Sequence, residues 1–209
     1  MRHYLLIGTS IFLIGCGGSS SNPTEAPQGT ETPTIPPLQT DPANMIEALD
    51  SLADAFSSPI VYSPLQNIPT TGTATYDGYF FVELSNGSDS LPDELIANLR
   101  LQVSFNPNNV SAGGSASNFF DENQDTLSGE LTLTSSNLDR TGNPNSDATF
   151  TASMSGNLSP KTGSDFGIAA RLEGDFLGAS HDALGGAVFG RATQDGELQD
   201  VDGRFIAAR

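Results

Sequence analysis

The chain is poor in positive charge. Its 209 residues hold eight Lys and Arg against 25 Asp and Glu, a net charge of −17 and a pI near 4.1. That argues against nucleic acid as a partner, because affinity for phosphate comes from Lys and Arg that release counterions. It argues equally against docking on anionic headgroups through a basic face. A single cysteine, Cys16, leaves no intramolecular disulfide and no cysteine-based metal site. Two histidines, one of them His3, do not make a multi-histidine site, and tryptophan is absent. What abounds is turn-forming: Gly 22 and Pro 13. The apolar fraction of 36% supports one core of modest size.

Met1-Arg2-His3 precedes a mostly apolar run from Tyr4 to Gly15, which Cys16 ends. A basic start followed by about 12 apolar or small residues reads as a signal peptide, too short to span a bilayer as an anchor. Leu13-Ile14-Gly15-Cys16 resembles the bacterial lipobox, in which a small residue precedes the cysteine. The resemblance implies that residues 1–15 are removed and that Cys16 is the lipid attachment site, carrying acyl chains on its thiol and on the new amine. Several chains at about 0.8 kcal/mol per buried CH₂ hold a protein firmly on a membrane. Gly17, rather than Asp, follows the cysteine, which by the same resemblance favours the outer membrane.

Residues 16–41 read as a tether. The stretch 17–42 holds six of the prolines, no Lys or Arg and no apolar period, so it has too little apolar surface to offset its ordering entropy. As a coil it reaches roughly 30 Å, and stiffened by proline about 80 Å. Residues 42–69 read as a helix and connector. Asp41 can cap the helix and Pro42 suits its first position. Met45, Ile46, Leu49, Leu52, Ala53 and Phe56 then form an apolar stripe opposite Glu47, Asp50 and Asp54. The following domain is the expected surface for that stripe.

From residue 70 to 209 the apolar period becomes two. Strands are expected over Thr73–Leu84, around Leu99–Phe105, over Val110–Phe120, around Leu131 and Leu133, and over Ala148–Ser155, Phe166–Phe176, Ala183–Arg191 and Val201–Ala208. Eight short strands between Gly, Asn, Asp, Ser and Pro clusters predict an all-β fold, a soluble eight-stranded antiparallel barrel or sandwich. A transmembrane barrel is disfavoured. The alternate face carries Arg100, Glu130, Arg171 and Glu173, aromatic girdles are missing, and the chain ends Ala207-Ala208-Arg209. In the last strand Phe205 is expected to face inward and Ile206 outward, because Arg204 shares the face of Ile206. Truncating Ile206 is therefore expected to cost much less than truncating Phe205. The segment 68–209 is expected to fold on its own.

Glycines punctuate these strands: Asp77-Gly78, Ser128-Gly129, Ser155-Gly156, Glu173-Gly174, Gly185-Gly186 through Gly190, and Asp202-Gly203-Arg204-Phe205-Ile206-Ala207-Ala208-Arg209. The pattern resembles the eight-stranded barrel of the transferrin-binding protein B-like surface lipoproteins, over roughly 140 residues. The resemblance implies a Gram-negative cell-surface or outer-membrane lipoprotein exported with a surface lipoprotein assembly modulator. Relatives of this kind bind host transferrin, haemoglobin, haem or complement factors. The two-lobed receptor places a handle domain beside each barrel, and only a helix and connector stand in that place here. Neither transferrin binding nor any binding residue carries over.

Few residues suggest chemistry. Ser180-His181-Asp182 has the residue types of a triad, but adjacent side chains cannot form one. Asp121, Asn123 and Asp125 begin like a calcium loop, yet Thr126 and Thr132 stand where the turn glycine and bidentate glutamate belong, so a solvated hairpin is the reading preferred. His181, Met154, Tyr76 and Tyr79 are of the residue types that ligate haem, but nothing around them in the sequence favours it. Asn86-Gly87-Ser88 and Asn157-Leu158-Ser159 are glycosylation sequons that a bacterial lipoprotein leaves idle. No catalytic residues, cofactor or metal are implied. The expected function is non-catalytic: a tethered barrel that binds or adheres to an extracellular protein or ligand, a cationic one by charge. The alternative is a small-ligand carrier, for haem or another nutrient, or a small enzyme, either needing a pocket in the barrel.

Overall fold

A computed structural model describes residues 37–57, 60–85, 91–138, 140 and 147–209. The expected signal peptide, Cys16, the tether up to residue 36 and the sequon at Asn86 lie outside these described residues.

The helix α1 runs Pro42–Ser57. Asp41 caps it: its carbonyl accepts from Met45 N at 2.9 Å and its Oδ1 from Asn44 N at 3.2 Å. The strands β1 (Thr73–Ser85), β2 (Glu94–Phe105), β3 (Val110–Asp121), β4 (Thr126–Asn137), β5 (Thr149–Ser159), β6 (Phe166–Leu177), β7 (Ala183–Gln194) and β8 (Glu197–Ala208) form a closed barrel in sequence order. All neighbours are antiparallel, and β1 pairs with β8 from Asp77↔Ala208 to Ser85↔Asp200. The sequence left residues 192–200 outside any strand. In fact β7 and β8 continue to a two-residue turn at Asp195-Gly196, both at positive φ, as a tight hairpin of this sequence prefers.

Alternate residues point into the barrel and fill it. Tyr76, Phe80, Phe119, Phe150, Phe166 and Phe176 are fully buried in one core with Leu95, Leu99 and Leu101. The connector closes one end, where Leu65 and Ile68 of residues 60–69 join that core. Arg140 donates to the carbonyls of Ile68 and Pro69, and Ala148 N bonds Ser63 O at 3.3 Å. This connector end also carries the 106–109 and 178–182 connections, and Leu138 and Asp147 stand there at the end of β4 and before β5. The opposite, hairpin end carries the turns at 122–125, 160–165 and 195–196.

A second apolar cluster lies outside the wall. Met45, Ala48, Leu49, Leu52 and Phe56 of α1 pack on Tyr79, Ile96, Phe120, Leu177, Ala183, Ile206 and Ala208. The helix thus covers a diagonal band from β2 and β3 to β6 and β7. Ile46, assigned to the stripe by periodicity, is 44% exposed, and Ala48 takes the buried place. Asp50 on the helix rim meets Arg204 of β8 at 2.6 Å.

The register of β8 is as expected: Phe205 and Ala207 belong to the interior core, Ile206 and Ala208 to the cluster under α1. The expectation that Ile206 matters little is corrected, because outward here means covered by a helix. At the β1–β8 seam a Cβ on Gly78 would run into the Ile206 carbonyl and Ala207 Cα, and one on Gly203 into the Phe81 carbonyl and Val82 Cα. Both are extended residues whose missing side chain lets two strands approach closely.

Two predictions follow from this packing. Phe205→Ala is expected to lower stability by about 3–5 kcal/mol and Ile206→Ala by about 2–5 kcal/mol, so urea midpoints should fall in both; a wild-type midpoint for Ile206→Ala would mean that α1 does not sit on the wall. Gly78→Ala is expected to lose at least about 1–3 kcal/mol by overpacking the seam. Gly113→Ala, where a Cβ meets nothing within 4 Å, should be neutral or gain about 0.4–1 kcal/mol. Equal thermal midpoints for these two variants would refute the seam assignment.

Candidate functional site

Among the described residues the barrel interior is filled. Its inward residues are packed aromatic and aliphatic side chains at close to zero exposure, and barrels of eight strands are just wide enough to be filled this way. The clefts lie on the outside. One of about 280 Å³ runs between α1 and the wall, lined by Phe56, Ile60, Tyr62, Leu177 and Ile206. A smaller one of about 150 Å³ opens beside the start of α1, between Ile46, Phe81, Ile96, Phe120, Glu94 and Glu122. The pocket required by the carrier or enzyme alternative is therefore not found among the inward residues, which occupy that space themselves.

The residues singled out from sequence scatter. Tyr76 and His181 meet at the connector end, where the Tyr76 hydroxyl donates to the His181 carbonyl at 2.9 Å. Met154 lies within the interior core, and Tyr79 lies outside it, its oxygen accepting from Gln39 N at 3.2 Å. Burial holds both phenols above their ordinary pKa. Asp121 turns its Oδ1 to Asn123 N at 2.9 Å and Asp125 N at 2.8 Å, while Asp125 pairs with Lys161 at 3.1 Å. These carboxylates thus organise the β3–β4 hairpin. Among the described residues no three His, Cys, Asp or Glu side chains converge as metal ligands would. Cys16 lies outside them.

His181 is more than a turn residue. At positive φ between β6 and β7, it packs its ring edge-on to Phe105 at 5.7 Å and is 9% exposed. Its Nδ1 is buried without a hydrogen-bond partner. Burial lowers its pKa, the nearby Arg209 lowers it further, and Asp182 partly opposes them. A lone imidazole in a polar turn gave no signal of this in the sequence, since its surroundings, Phe105 and Tyr76, are distant in the chain.

The outer wall is where the charges stand, and their pairing is uneven. Asp77 and Arg100 face each other across β1 and β2 at 2.6 Å, and Arg191 and Asp200 across β7 and β8 at 2.5 Å. Lys161, Arg171 and Arg204 each hold a carboxylate as well. The two remaining described cations, Arg140 and Arg209, donate to backbone carbonyls at the connector end. At one stretch of the wall, near the end of β1 and the start of β2, the rule inverts. Glu83 of β1 lies directly between Glu94 of β2 and Asp202 of β8, three acids on three adjacent strands. Asp93 and Glu122 stand beside them, Glu122 accepting from Asp93 N at 3.2 Å. The sequence shows only that acids are numerous; their alignment comes from the register.

Residues 68–209 match the model of the family described as the C-lobe and N-lobe beta barrels of Tf-binding protein B, Tf standing for transferrin. The chain belongs to this family. The match spans two thirds of it and takes in every strand of the barrel. Searches of curated proteins and of solved structures returned no match. The Tf-binding protein B barrels are parts of a binding protein, and in this member the closed wall and the filled interior leave the outer surface as the candidate site.

The environment of His181 gives a pH dependence. Its neutral form is favoured in the fold, so the unfolded chain binds the proton more readily. Stability is complete above the unfolded value of about 6.5 and is lost as the pH falls below it towards the lowered folded value. His181→Asn, which tolerates the positive φ, is expected to remove this loss. Urea denaturation of both proteins between pH 7.5 and 5.5 reads the difference, and parallel curves would show that the imidazole is not buried.

Proposed function

We propose that the chain is a non-catalytic lipoprotein displayed at the outer membrane of a Gram-negative bacterium, a tethered barrel that binds an extracellular protein. Cys16 is the lipid attachment point, and the leader 1–15 is removed before it. The observation that carries the binding role is the filled interior of a family barrel: with no room inside, recognition falls to the outer wall and the loops. The excess of acids on the wall suits a cationic partner and leaves anionic lipid and nucleic acid disfavoured. Pro37 and Leu38 share a cleft with Thr75, Ala208 and Arg209, so the tether joins the wall near the connector end. Export with a surface lipoprotein assembly modulator is part of the same reading.

Labelled palmitate should enter the wild-type protein and not Cys16→Ser, and protease added to intact cells should remove the wild-type barrel. The barrel, immobilised, should capture a protein from extracellular fluid, with transferrin included as one probe, and retention should fall with salt. Processing and membrane retention unchanged in Cys16→Ser would overturn the anchor. A small molecule found in the barrel by native mass spectrometry would overturn the binding-surface reading in favour of a carrier.

A further inference from the structure

We propose that the outer wall at the hairpin end of β1, β2 and β8, beside the start of α1, receives a cationic segment of a partner protein that carries one apolar side chain. The inference rests on the binding-module reading above and names the partner's chemistry and its place on the barrel.

The first observation is the cleft. Phe81, Ile96 and Phe120 form its floor, Ile46 its exposed wall, and Glu94 and Glu122 its rim. At about 150 Å³ it is smaller than the roughly 300–1,000 Å³ that drug-sized ligands occupy, and it suits a single side chain. The second is the row of acids next to it. Glu94, Glu83 and Asp202 are held side by side by the backbone register of three strands. Directly opposed like charges destabilise a sheet. Elsewhere on this wall directly opposed charges are of opposite sign, as at Asp77–Arg100 and Arg191–Asp200. All seven cations beyond Arg2 are engaged, five by carboxylates and two by backbone carbonyls. The counter-charge for this row therefore has to come from another molecule.

The spacing selects the kind of counter-charge. Three carboxylates stepping across strands about 4.8 Å apart span roughly 10 Å, whereas a calcium ion gathers its oxygens within about 2.6 Å. A row of this width matches successive Lys or Arg side chains. The carboxyl of Glu94 is already held above the usual range, by burial first and then by Glu83, Glu122 and Asp93. A cation seated there relieves that repulsion. The helix N-terminus nearby is capped by Asp41 and adds only a partial positive charge. Ile46 is the one residue of the α1 stripe that the wall leaves uncovered, and it stands at this cleft.

The test uses the mature chain with Cys16→Ser, so that it stays in solution, and a short peptide with one leucine flanked by two lysines on each side. Amide shifts on titration should be confined to the residues around Ile46, Phe81, Glu94, Ile96 and Glu122. Replacing the peptide's leucine by serine, or the protein's pair as Glu83→Gln with Glu94→Gln, should each weaken binding by about tenfold or more. The charge-matched pair Glu130→Gln with Glu197→Gln should leave it unchanged. The Glu83/Glu94 variant should melt no lower than the wild type, since it removes a repulsion, so a lost affinity is not lost folding. Shifts spread over the whole acidic wall, equal losses in the two charge-matched variants, or the same shifts produced by calcium alone would overturn the proposal. If the Glu83/Glu94 variant still captures the extracellular partner, this site is wrong while the binding module stands; a wild-type chain that captures nothing removes both.

Discussion

Closure of the sheet on itself, through the pairing of β1 with β8, governs the rest of this molecule. Strands that would otherwise end as open edges are satisfied by each other from Asp77↔Ala208 to Ser85↔Asp200, and an unpaired edge is a liability that soluble sheets must cover. The approach of the two strands depends on Gly78 and Gly203, each of which faces the partner backbone where a methyl group has no space. A barrel drawn this tight leaves its interior to Tyr76, Phe80 and Val82 from one side of the seam and Phe205 and Ala207 from the other. The dry centre is thus a consequence of the closure.

The same closure decides what the outside is. Alternation along β1 and β8 sends Tyr79, Phe81 and Ile206 outward, and α1 covers them or packs beside them. Two residues beyond the Phe81–Arg204 pair, toward the hairpin end, it sends Glu83 and Asp202 outward into direct opposition. Covered apolar band and exposed acidic row are neighbours because the register makes them so. A slip of one residue would exchange faces throughout, burying acids and exposing the Phe205 ring.

Much of this was legible in the amino-acid order. The strands alternate strictly enough for all eight to be located, and Asp41-Pro42 marks the helix start to the residue. The inward choice of Phe205 followed from the cost of burying Arg204. What the order could not show depends on contacts distant in sequence. Ile206 looked like a solvent-facing residue because its cover, α1, lies some 150 positions earlier, at about the separation of the Asp50–Arg204 pair. The apolar alternation ends at Arg191 and resumes at Val201, whereas the Asp195-Gly196 turn binds Gln194, Gln199 and Asp200 into the ladder. His181 and Glu94 have unremarkable sequence neighbours, and only Phe105 and Tyr76 for the one and the cross-strand register for the other give them their environments.

These long-range contacts also bear on where the folded unit begins. The family match starts at residue 68, and by periodicity alone the barrel is complete from there. Yet a barrel cut at that point would expose Tyr79, Ile96, Phe120, Leu177 and Ile206, a contiguous band that α1 and Leu38 cover. It would also lose Leu65, which helps close the connector end. At about 25 cal/mol for each Å² of apolar surface returned to water, uncovering five large side chains weighs heavily against a total stability of about 5–15 kcal/mol. The helix and connector therefore belong to the barrel as its outer buttress and its plug. The folded unit takes in residues ahead of α1 as well, since Leu38 packs on the cluster under the helix and Gln39 N donates to the Tyr79 oxygen.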